Sequence, residues 1–425
     1  MDHPTVWKSE APAEVLRAPR SVAETGVRRS FLEELLLKIL YLSGPFTLRE
    51  WGQLARLRLS VVEELFERLR AEQLCAVTGM TGHIHQAAIT SQGRTRALEL
   101  LSLNQYAGPA PVTLESYVQQ VRLQGVRNAE VHPPQMQSAF AHLVLEGQTL
   151  KQLGTALNSG SSIFLYGPTG SGKTTIAEAL PRVLAEDRVW IPFAVEIDGQ
   201  MITIYDPLIH KSIEDSRFAE SDPRWVLCHR PAVVAGGELT IEMLDLQFNP
   251  VTKFYSGPVQ MKANNGVLIV DDFGRQRVAP EALLNRWVVP LDRRIDFLTL
   301  AGGKKIEIPF ELLVVFATNM NPAELADAAF LRRIHTKVKV GAASPQQFRE
   351  IFFRVCSDRG VECEPGVVDE VIEVLEKELK QPLRPCYPRD LVNQVCWAAR
   401  YEEKTPHLDR ESLLRAAEAY FLSLT

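Results

Sequence analysis

Toward both ends of the chain apolar residues recur every third or fourth position, whereas the middle carries short runs that are apolar throughout. The first pattern suits helices with one buried stripe, the second strands covered on both faces by helices. Phe31, Leu35, Ile39 and Leu42 predict a helix over 30–42, ended by Gly44-Pro45. Thr47 is expected to cap a helix over 48–56, and Ser60 one over 61–73 whose Leu65, Phe66 and Leu69 share a face. Strands at 74–78 and 84–90 flank the turn residues Gly79-Met80-Thr81-Gly82, and a further helix covers 92–103. Three helices and a hairpin in this order predict a winged-helix domain over 28–105. Residues 1–27 lack a period and read as a flexible tail, and 106–149 as a linker with helices over 134–146 and 149–157.

The apolar run 162–166 leads into Gly167-Pro168-Thr169-Gly170-Ser171-Gly172-Lys173-Thr174, which fills G-x-x-x-x-G-K-[ST] between a strand and a helix over 174–180. Glycines let successive backbone N–H groups point inward at phosphate oxygens, and the helix presents its positive end to the same anion. Gly167 to Thr174, together with Thr175, are therefore the candidate nucleotide-binding residues. Lys173 would neutralise the β and γ phosphates, and the Thr174 hydroxyl would hold Mg²⁺.

A second run, 266–270, ends in Asp271-Asp272, and a third, 312–318, ends in Asn319. Acids at the C-terminal edge of a parallel sheet sit where ligands bind. Asp271 would hold Mg²⁺ through water, Asp272 would orient or activate the attacking water, and Asn319 would lie beside the γ-phosphate. Lys173 and Asp271 are 98 residues apart, more than one strand-helix-strand unit needs. That interval holds a hairpin, 194–197 and 201–205, around Asp198-Gly199, and a helix-like stretch at 238–244. A second hairpin, 295–300 and 305–310, precedes the Asn319 strand. Past Gly341 the pattern is wholly helical, with helices over 345–358, 367–380, 388–403 and 410–424 capped by residues such as Ser344 and Asp409.

Charge narrows the partners. A net charge of −5 gives no general pull toward nucleic acid or anionic membrane. The helix 61–73 carries Glu63, Glu64, Glu67 and Glu72 against Arg68 and Arg70, and the hairpin after it has no lysine or arginine. A helix built to enter a phosphate-lined groove should be basic, so the winged helix reads as a protein-docking module, nucleic acid being the less favoured partner. His83 and His85 have no cysteine near them and read as exposed hairpin residues. The six cysteines form no C-x-x-C pair and are expected reduced and buried. No apolar run is long enough for a membrane span, and the N-terminus has no signal-peptide pattern, so a cytoplasmic protein without a membrane partner is expected.

The set GPTGSGKT, VLIVDD, VVFATN, AAFLRR and YPRDL resembles the AAA+ ATPases over about residues 150–425, and the hairpin before the Asn319 strand resembles the MoxR-like and related branches. The resemblance implies a P-loop α/β domain over 150–340, a three-layer parallel sheet, followed by a C-terminal helical lid over 341–425. It implies ATP and Mg²⁺ as cofactors and a homo-oligomeric ring, typically a hexamer. Arg332 and Arg333 occupy the place of the arginine finger that acts on a neighbouring subunit's nucleotide, Arg333 fitting the D-R-F form better. Arg389 matches the lid's sensor arginine. The hairpins would face the ring's pore or axial surface, where Arg293, Arg294, Lys304 and Lys305 would make the second hairpin basic.

One residue departs from the family. The second acid is Asp272 where Glu is usual, one methylene short, and misplacing a base by that much can cost about 100-fold in rate. Slow turnover is expected. Three functions stay open: an ATPase that remodels or assembles a protein recruited by the winged helix, a nucleotide-dependent DNA motor or loader, and an ATP-gated scaffold with little hydrolysis.

Overall fold

A computed structural model describes residues 16–325, 328–364 and 366–421. In the N-terminal part α1 (Arg29–Ser43), β1 (Phe46–Thr47), α2 (Leu48–Ala55), α3 (Leu59–Ala71), β2 (Cys75–Thr81), β3 (Ile84–Ile89) and α4 (Ser91–Leu103) combine four helices with a sheet of order β1-β3-β2. Thr47 caps α2 through a reciprocal box with Glu50. Trp51 fills the core, its indole N–H donating to Leu36 O at 3.1 Å.

Three expectations fail here. Ser60 is not a cap: α3 starts one residue before it, and its hydroxyl donates to Arg20 O at 2.8 Å. The hairpin turns at Gly82-His83 rather than over 79–82, because a register shift between Val77 and Gly79 carries β2 on to Thr81. Residues 16–27, expected as part of a flexible tail, are a packed strap: Leu16, Ala18, Val22 and Val27 are buried, Val22 N donates to Glu64 Oε2 at 2.8 Å, and Arg224 Nη1 donates to Thr25 O at 3.0 Å. The remaining residues of that expected tail, 1–15, lie outside the described residues.

The linker carries β4 (Val112–Thr113), α5 (Leu114–Leu123), α6 (Pro133–Ala139) and α7 (Gly147–Ser159), α5 being unexpected from sequence. Next come β5 (Ile163–Tyr166), α8 (Lys173–Val183), β6 (Arg188–Pro192), β7 (Ala194–Ile197), β8 (Gln200–Thr203), β9 (Trp225–His229), β10 (Ala232–Ala235), β11 (Gln247–Phe248), β12 (Tyr255–Ser256), α9 (Val259–Lys262) and β13 (Val267–Val270). These are followed by α10 (Pro280–Arg293), β14 (Ile295–Thr299), β15 (Lys305–Pro309), β16 (Leu313–Thr318), α11 (Pro322–Leu325), α12 (Ala328–Leu331) and β17 (Thr336–Lys339).

The main sheet is α/β architecture in its plainest form: five parallel strands in the order β10-β13-β16-β5-β17. Numbered as they occur along the chain, the order is 2-3-4-1-5, so chain direction across the sheet reverses beside β5, where ligands bind in open parallel sheets. Alternation along β5 divides the core: Ile163 and Leu165 face Ile176 and Leu180 of α8, whereas Phe164 stacks on Phe316 and meets Phe273 on the α10 side. The strand β10 was not foreseen, and the stretch 238–244 is not a helix but ends in a single 3-10 turn at Glu242–Leu244.

Beside this sheet the long interval, joined by β4 of the linker, builds a second β layer of order β11-β12-β8-β7-β4 and the pair β6-β9, and β14-β15 form a further pair after it. Asp198 and Gly199 both adopt positive φ, 51° and 81°, as a type I′ turn requires. Of the four basic residues expected at the β14-β15 element, Arg293, Lys304 and Lys305 are exposed, Lys304 pairing with Asp198, and Arg294 is turned into the protein, donating to Leu312 O and Gly160 O. Leu298, Ile306 and Ile308 of this hairpin are buried against the second layer.

The C-terminal part comprises α13 (Pro345–Arg359), β18 (Glu362–Cys363), α14 (Val367–Glu373, continuing as a π turn over 374–378), α15 (Tyr387–Tyr401), β19 (His407–Leu408) and α16 (Arg410–Tyr420). It is not wholly helical, since β18 and β19 pair in parallel. Ser344 and Asp409 cap their helices as expected. Among the cysteines, Cys75, Cys228 and Cys356 are buried, but Cys363, Cys386 and Cys396 are only half-buried. No helix among the described residues is long and apolar enough to cross a membrane.

Candidate functional site

The loop after β5 is shaped by its glycines. Gly167 has φ 150°, and a Cβ there would lie 2.0 Å from Val340 O, so any side chain must displace the backbone of the adjoining strand. Gly167→Ala is expected to lower stability by about 3 kcal/mol or more, measured by denaturant unfolding, because rigid backbone on both sides prevents relief. Gly170 and Gly172 take φ 79° and 90°, and Gly172 leads directly into α8.

Parallel register brings the ends of β5, β16 and β13 side by side, and the side chains there form a continuous chain of hydrogen bonds. Lys173 Nζ donates to Asn319 Oδ1 at 2.6 Å and to Pro168 O at 2.9 Å. Asn319 Nδ2 donates in turn to Asp272 Oδ1 at 3.2 Å. Thr174 Oγ1 donates to Asp271 Oδ2 at 2.9 Å. Burial lowers the Lys173 ammonium's affinity for its proton, against the opposing pull of Asp271 and Asp272. The hydroxyl and carboxylate of Thr174 and Asp271 are hard oxygen donors in mutual contact, a donor set that fits Mg²⁺ carried in with a phosphate. Among the described residues no group of three or more His, Cys, Asp or Glu could hold a metal without such a ligand.

Asp272 is held in the left-handed region at φ 48°, a conformation that costs a non-glycine residue about 1 kcal/mol. The neighbouring turn enforces it. Phe273 N donates to Ala317 O at 2.8 Å, Gln276 Nε2 donates to Asp271 O at 2.7 Å, and Gln276 Oε1 accepts from Gly274 N at 2.8 Å. Gln276 is thus a clamp across the turn that aims Asp272 at Asn319.

These groups line one cavity of about 410 Å³. Thr169 through Thr175, Asp271, Asp272, Asn319 and Arg389 all reach it, so the structure brings together most of the sequence-derived site. Gly167 and Pro168 do not line it; Pro168 O holds the Lys173 ammonium at 2.9 Å. Arg332 and Arg333 do not line it: Arg332 is exposed, and Arg333 Nε donates to Asp292 Oδ2 of α10 at 2.7 Å. Sequence reading missed the wall opposite the phosphate loop, formed by residues 142–145 and by Arg354 and Asp358 of α13. Arg354 Nη1 donates to Ala141 O at 2.7 Å, tying the C-terminal helices to the linker. His142 lies 3.3 Å from Arg182 Nη1, and burial, with Arg182 and Arg354 adding to it, disfavours its protonation. Cys386 joins from the C-terminal part, its N–H donating to Gly170 O at 3.2 Å.

A family model described as a domain of unknown function (DUF8689) matches residues 344–419, the C-terminal helices. No curated protein matches the sequence. Among solved structures the chain is similar to NtrX from Brucella abortus in complex with ADP, at 14% identity over 65% of this chain and 55% of that one, TM-score 0.40. The same NtrX in complex with ATP matches at 15% identity over 64% and 58%, TM-score 0.39. The RuvB Holliday junction branch migration motor of Thermotoga maritima matches at 16% identity over 65% and 69%, TM-score 0.38. The chain thus spans little more than half of the NtrX chain it resembles.

Proposed function

We propose that this chain is an AAA+ ATPase that binds ATP with Mg²⁺ in the cavity between its parallel sheet and its C-terminal helices, and uses slow hydrolysis to remodel or assemble a protein partner. The observation that carries the reading is the joined set Lys173, Asn319 and Asp272 beside Thr174 and Asp271. Each member answers one need of phosphoryl transfer. The backbone amides of 169–174 cradle the phosphates. Lys173 would leave Asn319 to meet the β and γ oxygens, and Thr174 and Asp271 would hold the metal. Asn319, released from Lys173, bridges the γ-phosphate and the water that Asp272 orients. Mg²⁺ supplies neutralisation of the developing phosphate charge.

Arg389, on the first turn of α15 at the cavity, suits a sensor that draws the lid inward when triphosphate is present. For the arginine acting in trans, exposure supports Arg332, whereas Arg333 is engaged with Asp292. Arg332→Ala is accordingly expected to lower kcat about 10³-fold with ATP affinity retained, whereas Arg333→Ala mainly lowers the thermal midpoint. Equal loss of kcat from both, with no change in stability, would contradict this division.

A ring, with a hexamer as its expected size, follows from a trans-acting arginine, and a cytoplasmic setting from the supply of ATP and magnesium there. Recruitment of a protein client falls to the winged-helix part, where the arginines exposed on α3, Arg68 and Arg70, are each paired with a glutamate. Phosphate release measured against protein concentration tests the reading, since a trans-acting site must gain specific activity as the chain assembles. Activity independent of concentration at all dilutions would refute it.

A further inference from the structure

A second cavity, of about 420 Å³, lies far along the chain from the nucleotide residues, where α1 and α4 meet the turn between β7 and β8. Lys38, in the middle of α1, lines it while only 7% exposed. An ammonium carries three donors, yet the one hydrogen-bond acceptor that Lys38 has among the described residues is Asn104 O, at 3.1 Å. Glu34, the one carboxylate lining the cavity, pairs instead with Arg96 at 3.7 Å. Glu34 acts on Lys38 only at a distance, and a buried cation without a carboxylate in ion-pair contact is costly, such groups being ordinarily paired. Arg28 and Lys253 add positive charge at the same cavity, although the first also pairs with Glu196 and the second donates to Ser102 O. Phe31, Leu100 and Leu103 supply its apolar wall.

We propose that this cavity binds a small organic acid, the carboxylate taken by Lys38 and the apolar body by Phe31, Leu100 and Leu103. Such a ligand supplies the missing counter-charge and fills a space that is half apolar. It would also join α1 and α4 to the β7–β8 turn, since Gly199 and Gln200 line the other side. Burial pulls the Lys38 amine down to about 8, with Glu34 opposing. Because the folded value lies below the unfolded one, the ligand-free fold carries a penalty that is complete below about pH 8 and is relieved as pH rises toward 10.5. A bound carboxylate removes that penalty by favouring the ammonium.

Benzoate is the probe, with the full-length protein labelled at lysine ¹³Cε and followed by NMR. Free protein should show one lysine titrating near 8, assigned by its loss in Lys38→Met, and benzoate should move that titration upward. Affinity for benzoate should fall about tenfold or more in Lys38→Met, and also in Leu103→Glu, a change at an exposed position that leaves the fold intact. Inorganic phosphate, lacking an apolar body, should bind more weakly than benzoate. The proposal is overturned if millimolar benzoate leaves the Lys38 resonance unmoved, if Lys38→Met binds benzoate as well as the parent, or if phosphate binds as tightly.

Discussion

Lys173→Ala is expected to weaken ATP binding by about 100-fold or more, because the ammonium supplies two charge-assisted contacts to phosphate worth about 1.5–3 kcal/mol each. Its present partners make the loss specific. Lys173 is held on Asn319 and Pro168 by short hydrogen bonds, so the ammonium stands at the cavity mouth before any ligand arrives. Removing it also deprives Asn319 of the contact that keeps its amide turned to Asp272. Fluorescence titration with a labelled ATP analogue measures the effect, and affinity within a few-fold of the parent would show that the loop does not bind phosphate.

Asp272→Asn should separate chemistry from binding. Asparagine keeps the shape and can still meet Asn319, but it cannot accept a proton from water. Turnover should fall about 100-fold, as removal of a general base commonly costs, while ATP affinity stays within about threefold. Asp272→Glu restores the reach lost with the missing methylene and should raise kcat. It also puts a longer side chain at φ 48°, where Asp is better tolerated than Glu, so stability should drop by about 0.5–1 kcal/mol. If Asn costs no turnover, hydrolysis does not use this carboxylate, and the ATP-gated scaffold becomes the better description. Single-turnover phosphate release distinguishes the outcomes.

The parts of the site that lie close along the chain were legible because each local residue type has a single use. Gly170, Gly172, Lys173 and Thr174 fall in one G-x-x-x-x-G-K-[ST] run and line one cavity, and Val267–Val270 and Leu313–Thr318 are apolar enough to be strands of a covered sheet. Strand β10 was not legible, since Ala232–Ala235 is four residues with two alanines and alternating exposure, a weak signal beside the longer runs. The strap 16–27 has buried apolar residues but no period, because it follows the surface it packs on rather than forming an element. Gln276 escaped notice for a similar reason: its clamp depends on the turn geometry around Asp272, which no spacing encodes. The wall formed by residues 142–145 and by Arg354 and Asp358 comes from segments some 200 residues apart, brought together by tertiary packing. Arg333 shows a further limit of spacing: the motif placed it after α12, but its ion pair with Asp292 of α10 depends on tertiary packing.

Calorimetric titration of the unmodified protein with ATP in the presence of Mg²⁺ tests the central claim most directly. Binding with a Kd of about 100 μM or tighter, weakened when magnesium is chelated, is the predicted result. No detectable binding at millimolar ATP with magnesium present would contradict the account.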